Sequence, residues 1–309
     1  MGTKTPTYDV IVAAYNSGAY IGRAIQSVLD STMPPRMIIV VDDASEDDTA
    51  EIASEYDRVK VIRNARNLER SRTRNTGIRV SDADFIQFLD ADDLLAPEKV
   101  ATQLEVMEQE PETDVTFGDV RLFRNGEWPG QWREYPPDMD VLEQLIRKNI
   151  LALHSLLFRS SFFDRFGMFD ESLPISEDRE LYIRSLLNGA RWRYTPGATV
   201  YYRQHDAGTI RSRGYESARY NAVPVRRHRK ELAAFGEGRY RKVVAESIRT
   251  LARNANIAGR PLPEITEMID EALELDPGVT MDQNRVYQTV ENLLGPKVLE
   301  RLLRPRFRI

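Results

Sequence analysis

Hydrophobic residues in the first 115 positions form short continuous runs that alternate with segments of helical spacing. The runs predict strands at 8–14, 37–41, 59–62 and 85–89, and the spaced segments predict helices at 19–29, 47–56, 70–80 and 97–108. Pro97 suits the first position of the last helix. Runs without alternation are typical of strands buried on both faces of a parallel sheet. This order predicts an α/β fold, a mostly parallel sheet with helices on both faces.

The pattern becomes mixed after residue 114. One or two strands are predicted at 115–123, helices at 141–148 and 177–187, and a further strand at 198–203. From about Arg211 the segments are arginine-rich and helical, without a convincing strand. We therefore expect a first domain over 1–210 and a C-terminal helical appendage over 211–309.

Composition narrows the classes of protein. The 309 residues are 41% hydrophobic, enough for a full core, and contain no cysteine, which excludes disulfides and thiolate chemistry. A net charge of −5 argues against a dedicated nucleic-acid binder. No stretch approaches the roughly 20 apolar residues of a membrane span, and the N-terminus lacks a signal-peptide core. These features favour a cytoplasmic protein.

Three carboxylates, Asp90, Asp92 and Asp93, directly follow the strand at 85–89. Ligands of open α/β sheets bind at the carboxyl ends of strands, and Mg²⁺ takes one or two carboxylates together with substrate phosphates. Alternate residues of an extended chain face the same way. We therefore expect Asp90 and Asp92 to converge on one cation while Asp93 points elsewhere. Taken alone, the D-x-D-D pattern also fits a solvated acidic turn.

Two earlier strand ends carry candidate nucleotide contacts. Ala13 is small enough for a flat ring to approach the backbone, and Tyr15 can stack on that ring, although a tyrosine after a strand usually packs. Asp43 can accept the imide N–H of uracil or thymine, or a ribose hydroxyl. The alternative is a helix cap in this stretch, by Ser45 or Asp47.

Two later segments carry candidate catalytic groups. Ser176 is a good N-cap residue, which places Glu177 and Asp178 in a first helical turn where the helix dipole favours negative charge. Either the contact with the helix dipole is the whole role of these two carboxylates, or one of them is a general base aimed at an attacking hydroxyl. In Y-R-Q-H, His205 can be a third metal ligand and Arg203 a phosphate contact. A lone histidine is more often structural, and we interpret His154 that way.

The motifs A-A-Y-N, V-D-D-A-S, R-N-T-G before F-L-D-A-D-D, F-D-E-S-L-P-I-S-E-D and Y-R-Q-H, in this order, resemble the family 2 glycosyltransferases of the GT-A fold. The resemblance covers about residues 7–208. It implies a nucleotide-sugar-binding part over about 1–115, and an acceptor side with the catalytic base over about 116–210. One departure is Asn67, which is followed by L-E-R where the family often has Asn-x-Gly.

The resemblance also implies roles for single residues. The nucleotide sugar would be held by Ala13, Tyr15, Asp43, Arg74 and Asp90. Asp92 matches the most direct ligand of Mg²⁺ or Mn²⁺, with Asp90 nearer the sugar or ribose, and His205 matches a contact to metal or pyrophosphate. Asp178 matches the base of an inverting transfer. Asp43 favours a UDP- or dTDP-sugar donor, and the acceptor would be a glycan, lipid-linked or other hydroxyl.

Other functions fit less well. A sugar nucleotidyltransferase should carry a glycine-rich basic loop after its first strand, whereas residues 13–18 hold no Lys or Arg. A dehydrogenase is disfavoured because no G-x-G-x-x-G occurs. A catalytically silent nucleotide-sugar-binding scaffold is disfavoured by the retention of Asp92 and Asp178.

The C-terminal region contains two basic stretches. Seven Lys or Arg against two Glu lie in 211–231, and 302–309 mixes arginine with apolar residues. Such a mixture can attach to an anionic membrane surface. The alternatives are a solvated helix face or a surface for self-association.

Overall fold

The structure is a computed structural model that describes residues 5–124, 132–148, 151–205, 214–279 and 295–302. The chain forms two compact units. Unit 1 consists of Met1–Met139, Leu151–Pro174 and Asn188–Asp206, and unit 2 consists of Asp140–Ile150, Ile175–Leu187 and Ala207–Ile309. The predicted boundary near residue 210 stays a prediction, since unit 2 also takes in two earlier segments.

Unit 1 contains the strands of the described chain. In chain order they are β1 (Tyr8–Ala14), β2 (Met37–Asp42), β3 (Val59–Arg63), β4 (Phe85–Asp90), β5 (Leu94–Leu95), β6 (Val115–Phe117), β7 (Val120–Phe123), β8 (Trp132–Arg133), β9 (Leu156–Arg159), β10 (Trp192–Tyr194) and β11 (Val200–Arg203). The central sheet has the order β10-β6-β9-β4-β1-β2-β3, and a smaller sheet has the order β5-β11-β7-β8. In the central sheet β9 runs antiparallel to β4 and β6, and the other pairs are parallel. The expected α/β fold with a mostly parallel sheet is confirmed.

The described helices alternate with the first strands and then dominate unit 2. In unit 1 they are α1 (Gly18–Leu29), α2 (Thr49–Ser54), α3 (Glu69–Val80), α4 (Lys99–Gln109) and α6 (Ser161–Phe166). In unit 2 they are α5 (Val141–Arg147), α7 (Glu177–Leu187), α8 (Gly214–Arg227), α9 (Arg229–Gly238), α10 (Arg241–Ile257), α11 (Leu262–Leu275) and α12 (Pro296–Leu302). No helix in these ranges is long and apolar enough to span a bilayer.

The core of unit 1 follows the apolar runs of the sequence. β1 and β2 are buried along almost their whole length, as expected for strands covered on both faces. The apolar face of α1 packs on the core with Ile21, Ala24, Ile25 and Val28 buried, a helical spacing. This rigid layer fixes where β1, β2 and β4 end, and therefore where the residues after them lie.

Two local predictions need correction or refinement. Pro97 is not the first residue of α4, which begins at Lys99; the proline lies in the preceding turn, where its carbonyl accepts from the N–H of Thr32 at 2.9 Å. The segment 115–123 forms two strands, β6 and β7, and these belong to different sheets. The chain therefore crosses between sheets at its centre, around Gly118.

The crossing requires glycine at position 118, because it leaves no room for a side chain there. A Cβ at Gly118 would lie 1.8 Å from the carbonyl oxygen of Ala198. The backbone is fixed nearby, since the Gly118 N–H donates to Ser155 O at 3.0 Å and the Asp119 N–H donates to Ala198 O at 3.0 Å. Relief of the clash therefore requires main-chain movement.

We expect Gly118→Ala to lower the free energy of unfolding by about 3 kcal/mol, the upper range for overpacking. Urea denaturation measures the change. Gly278→Ala is the matched control, because a Cβ at Gly278 would meet its nearest atom at 3.5 Å, and we expect it to shift stability by no more than about 0.5 kcal/mol. Equal effects of the two substitutions would contradict this account of the crossing.

Candidate active site

The carboxyl ends of three neighbouring strands carry most of the predicted nucleotide contacts. In the sheet register, Ala13 of β1 lies beside Asp90 of β4, and Ala14 lies beside Asp42 of β2. Asp43 follows β2 directly, and its N–H donates to Ala14 O at 2.8 Å. The sheet therefore brings Ala13, Asp43 and Asp90 to one edge, the edge at which open α/β sheets bind ligands.

Asp43 is buried and organises the next loop. Its Oδ1 accepts from Asn64 Nδ2 at 2.7 Å and from the Leu68 N–H at 2.9 Å. Among the described residues no hydrogen bond falls on its Oδ2. One carboxylate oxygen thus holds loop 64–68 in place, and the other can accept from a ligand.

Of the two side chains considered as helix caps in this stretch, Asp47 contacts the start of α2 and Ser45 makes other hydrogen bonds. Asp47 Oδ1 accepts from the Thr49 N–H at 3.1 Å at the start of α2. The Ser45 hydroxyl instead donates to Asp42 Oδ1 and accepts from the Asn16 N–H at 2.9 Å. Ser45 therefore ties the loop after β1 to the loop after β2.

Tyr15 is not packed into the protein. Its side chain is 48% exposed, so the usual packing role of a tyrosine after a strand does not apply. Ala13, two residues before it, is half-buried at the end of β1. Together they offer a small backbone surface and an exposed ring beside Asp43.

Arg74 connects α3 to the strand-end carboxylates. Its Nη2 donates to Asp90 Oδ1 at 3.0 Å, and its Cζ lies 5.6 Å from the centre of the Phe169 ring. The adjacent Asn75 donates to Phe169 O at 2.9 Å and accepts from Phe169 N–H at 3.1 Å. The R-N pair therefore faces inward, with Arg74 beside Asp90.

Asp92 and His205 are in direct contact. His205 Nε2 lies 2.6 Å from Asp92 Oδ2, although the two residues are 113 positions apart. Both side chains are partly exposed, 34% for Asp92 and 30% for His205. The two residues are thus paired and reachable from solvent.

A second acidic group lies behind this pair. Potential ligand atoms of Asp90, Asp93 and His154 lie within 4.8 Å of one another. Asp93 and His154 are buried, and in the described part of the chain Asp93 Oδ2 and both ring nitrogens of His154 lack a hydrogen-bond partner. His154 Nδ1 lies 3.3 Å from Asp93 Oδ2. The His154 ring stacks on the Tyr202 ring, with the ring centres 5.3 Å apart. Asp93 and His154 are almost fully buried, whereas Asp90, Asp92 and His205 are each about a third exposed, so a diphosphate could reach a cation at Asp92 and His205.

The pKa values of the two carboxylates in this group are shifted in opposite directions. Desolvation acts to raise the pKa of Asp90, but the neighbouring His154 and Arg74 outweigh it, so the pKa of Asp90 lies below its usual range. Burial, together with the charges of Asp92 and Asp90, raises the pKa of Asp93 well above its usual range. Negative charge therefore concentrates on Asp90, the member of the group at the strand end.

Strained backbone gathers beside predicted site residues. Among the described residues, those other than glycine with positive φ include Asn16 at 47°, Ala44 at 63°, Glu69 at 66° and Ser176 at 65°. Asn16 and Ala44 lie in the loops after β1 and β2, Glu69 is the first residue of α3, and Ser176 precedes α7. Such conformations cost about 1–3 kcal/mol each and are common at functional sites.

Asp178 is the second residue of α7, in unit 2, and is half-buried. Its Oδ1 accepts from the N–H of Arg179 at 2.6 Å. The Ser176 hydroxyl donates to Asn221 Oδ1 at 2.7 Å, and the Ser176 carbonyl accepts from the Glu180 N–H at 3.1 Å. The first turn of α7 is therefore fixed by its neighbours in unit 2.

Arg179 is the main anchor of this turn. It is buried, and it donates to Leu145 O at 2.7 Å, Ile146 O at 2.8 Å and Asn221 O at 3.0 Å. Burial lowers the pKa of Arg179 to about 10, so it stays charged at neutral pH. Because these carbonyls belong to the end of α5 and to α8, Arg179 joins the segment that carries Asp178 to the C-terminal helices.

Comparison with known proteins identifies the chain. Residues 9–167, more than half of the 309, match the family described as glycosyl transferase family 2. The chain belongs to this family. It is therefore an enzyme, a glycosyltransferase, and the expected membership of this family is confirmed.

Two curated relatives cover most of the glycosyltransferase. An uncharacterized glycosyltransferase of Methanocaldococcus jannaschii is 26% identical over 238 residues, 74% of this chain and 82% of that protein. The UDP-Glc:alpha-D-GlcNAc-diphosphoundecaprenol beta-1,3-glucosyltransferase WfaP of Escherichia coli is 26% identical over 236 residues, 74% of this chain and 90% of that protein.

The fold has solved counterparts. The crystal structure of S. aureus TarS in complex with UDP-GlcNAc has a TM-score of 0.68 and 20% identity, and covers 96% of this chain and 90% of that one. A TarS structure in complex with UDP has a TM-score of 0.60 and 19% identity, and covers 98% of this chain and 93% of that one. At this identity the likeness supports the GT-A fold of the glycosyltransferase.

Some site features of the glycosyltransferase were not predicted from its sequence. Arg203, expected as a phosphate contact, is buried with its guanidinium between the rings of Tyr20 and Phe123. Asp93 was expected to point away, yet it joins Asp90 and His154 in one group. The sequence offered one signal for each residue, since Asp93 follows Asp92 and Arg203 lies two positions before His205. Their contact partners depend on which distant strands pair.

Proposed function

We propose that this glycosyltransferase moves a sugar from a uridine diphosphate sugar to an acceptor hydroxyl with inversion at the anomeric carbon. Asp92 and His205 hold the cation at the diphosphate, and Asp178 is the general base. The observation that carries the proposal is the contact of Asp92 with His205 at 2.6 Å, beside the strand ends that carry Ala13, Asp43 and Asp90.

The donor class rests on Asp43 and on the comparisons. The relatives include WfaP, named for a UDP-Glc donor, and TarS was solved with UDP-GlcNAc and with UDP. In this chain Asp43 Oδ1 is occupied by Asn64 and Leu68, which leaves Oδ2 to accept the imide N–H of a uracil ring. Tyr15, exposed beside it, stacks on that ring, and a dTDP-sugar would present the same imide.

The residues present fit a divalent cation. Asp92 offers a carboxylate oxygen, the ligand that Mg²⁺ and Mn²⁺ prefer, and His205 offers a ring nitrogen from the same partly exposed pair. When bound, Mg²⁺ or Mn²⁺ would act as a Lewis acid on the diphosphate oxygens. Asp90, beside Arg74, lies nearer the sugar or ribose.

Asp178 supplies the base chemistry. Its carboxylate accepts the proton of the acceptor hydroxyl as the hydroxyl oxygen attacks the anomeric carbon, and the bond from that carbon to the diphosphate oxygen breaks with release of the nucleoside diphosphate. A single displacement of this kind inverts the configuration, whereas retention by double displacement requires a nucleophilic carboxylate at that carbon. The anchoring of Arg179 to three carbonyls keeps the turn that carries Asp178 in one orientation, which lowers the entropic part of the barrier.

The acceptor hydroxyl belongs to a glycan or to a lipid-linked saccharide. WfaP is named for a diphosphoundecaprenol-linked acceptor, which supports this class. Contact with a membrane through the basic C-terminal stretch stays a prediction, because residues 206–213 and 303–309 lie outside the described ranges.

Calorimetric titration of UDP, dTDP, GDP and ADP, each with Mn²⁺ and with EDTA, tests the donor assignment. We expect UDP and dTDP to bind in Mn²⁺ at least about tenfold more tightly than GDP and ADP, because an imide N–H in hydrogen bond to a buried carboxylate contributes about 1.5–3 kcal/mol. Equal affinities for all four would contradict the role of Asp43. Binding of UDP-sugars without turnover of any acceptor would favour a silent scaffold instead.

A further inference from the structure

We propose that Arg203 is a positioning residue that, together with Asp93, holds Asp92 and His205 in their paired orientation before any ligand binds. We name the four residues Arg203, Asp93, Tyr20 and Phe123 the Arg203 clamp. The inference rests on the proposed function, since only there do Asp92 and His205 hold a cation. Neither residue of the pair is positioned by its own strand alone.

The smaller sheet first aligns the two segments. β5 runs antiparallel to β11, with Leu94 opposite Tyr201 and Leu95 opposite Val200. Continued by one and two residues, this register sets Tyr202 and Arg203 opposite Asp93 and Asp92. The acidic turn after β4 is therefore adjacent to the end of β11 at Arg203, two residues before His205.

The clamp then ties the two segments in both directions. The Arg203 N–H donates to Asp93 Oδ1 at 2.6 Å, and the Arg203 Nε donates to the carbonyl oxygen of Asp92 at 2.8 Å. A side chain of the turn thus binds the backbone of the strand, and a side chain of the strand binds the backbone of the turn. Movement of the Asp92 backbone away from β11 would break at least one of these bonds, so the backbone position from which the Asp92 side chain reaches His205 is fixed.

Two aromatic rings fix the guanidinium itself. The Arg203 Cζ lies 4.8 Å from the centre of the Tyr20 ring and 4.5 Å from that of Phe123. Tyr20 also contacts the His205 ring edge-on, with ring centres 5.6 Å apart. Arg203, Tyr20, His205 and Asp92 therefore form a closed ring of contacts, which supports His205 from the side of α1.

This arrangement explains why the position needs an arginine. The guanidinium is planar, so it can lie between two rings and still donate from Nε in its own plane, and lysine provides neither property. Substitution of a residue that orients a metal ligand typically lowers metal affinity about 10–100-fold. Arg203 is only 9% exposed, so its guanidinium is not spread on the surface for a phosphate.

The test measures Mn²⁺ affinity by electron paramagnetic resonance titration in the presence of UDP. We expect Arg203→Lys and Arg203→Met to weaken Mn²⁺ binding by at least about tenfold, while UDP affinity in EDTA stays within about twofold of the unaltered protein. Asp93→Asn keeps an oxygen acceptor for the Arg203 N–H and should retain Mn²⁺ affinity, whereas Asp93→Leu should lose it. Mn²⁺ affinity in Arg203→Lys equal to that of the unaltered protein would overturn the inference.

The design separates this inference from the proposed function. Asp92→Asn is titrated alongside, and if the unaltered protein binds Mn²⁺ no more tightly than Asp92→Asn, the cation assignment itself fails. If Asp92→Asn loses Mn²⁺ and Arg203→Lys does not, only the clamp fails. Circular dichroism and the thermal midpoint identify misfolded variants, and Arg203→Lys with Asp93→Leu carry the test should Arg203→Met not fold.

Discussion

Asp178→Asn is expected to lower the rate of sugar transfer about a thousandfold, within the range for removal of a general base. Asparagine has the same shape, and its Oδ1 can keep the hydrogen bond from the Arg179 N–H, which measures 2.6 Å. It cannot take the acceptor proton. The binding of UDP-sugar should stay unchanged, so kcat falls while the dissociation constant of the donor does not. Steady-state kinetics and calorimetry measure the two quantities.

The neighbouring carboxylate provides the matched control for this substitution. Glu177 shares the first turn of α7 but is buried, with only 3% of the residue exposed. Glu177→Gln should therefore keep transfer within about tenfold of the unaltered enzyme. Full activity of Asp178→Asn, or a larger loss in Glu177→Gln, would refute the assignment of the base.

Asp92→Asn and His205→Gln are expected to remove the dependence of UDP binding on Mn²⁺. Each substitution takes away one side of the pair that measures 2.6 Å, so UDP affinity in Mn²⁺ should fall by about 100-fold, toward its value in EDTA. Calorimetry of UDP in both conditions measures the change. The physical reason is that the cation joins the diphosphate to its side-chain ligands, and each substitution removes one of these ligands.

Asp82→Asn serves as the control at the opposite end of the same strand. Asp82 precedes β4, and its side chain is 78% exposed in an ion pair with Arg36. Asp82→Asn should leave the affinity for UDP unchanged both in Mn²⁺ and in EDTA, because exposed ion pairs contribute little to stability. A similar fall in Asp82→Asn would point to a general loss of charge rather than to a cation at Asp92.

The first half of the fold was predictable because its signals are local. β1, β2 and β4 are mostly apolar runs, and helices separate the first four strands at regular intervals, so order and direction follow from the sequence. β9 was not predicted, because Leu156–Arg159 is four residues long and owes its place to antiparallel pairing with β4 and β6. β5 and β8, of two residues each, are too short for any periodicity to appear.

The candidate site divides along the same line. Ala13, Asp43 and Asp90 follow strands, and the rule that ligands bind at carboxyl strand ends was enough to single them out. The Arg203 clamp depends on which strands pair, and the sequence alone leaves that open. His154, interpreted as structural, is buried beside Asp90 and Asp93, so its position fits a supporting role next to the reacting groups.

The buried network under His154 illustrates a cost that sequence patterns do not reveal. Lys99 is fully buried, contacts Gln87 Oε1, and burial lowers the pKa of its ammonium well below the usual range. Gln87 in turn donates to His154 O at 2.8 Å. A lysine on a helix is usually predicted to face solvent, so this inward position was invisible before the structure.

The claim that a cation lies between Asp92, His205 and the diphosphate is tested most directly by pulsed electron paramagnetic resonance of Mn²⁺ with UDP bound. The account predicts a coupling from a directly bound imidazole nitrogen that disappears in His205→Gln. Mn²⁺ and UDP bound together with no such nitrogen coupling in the unaltered enzyme would contradict it.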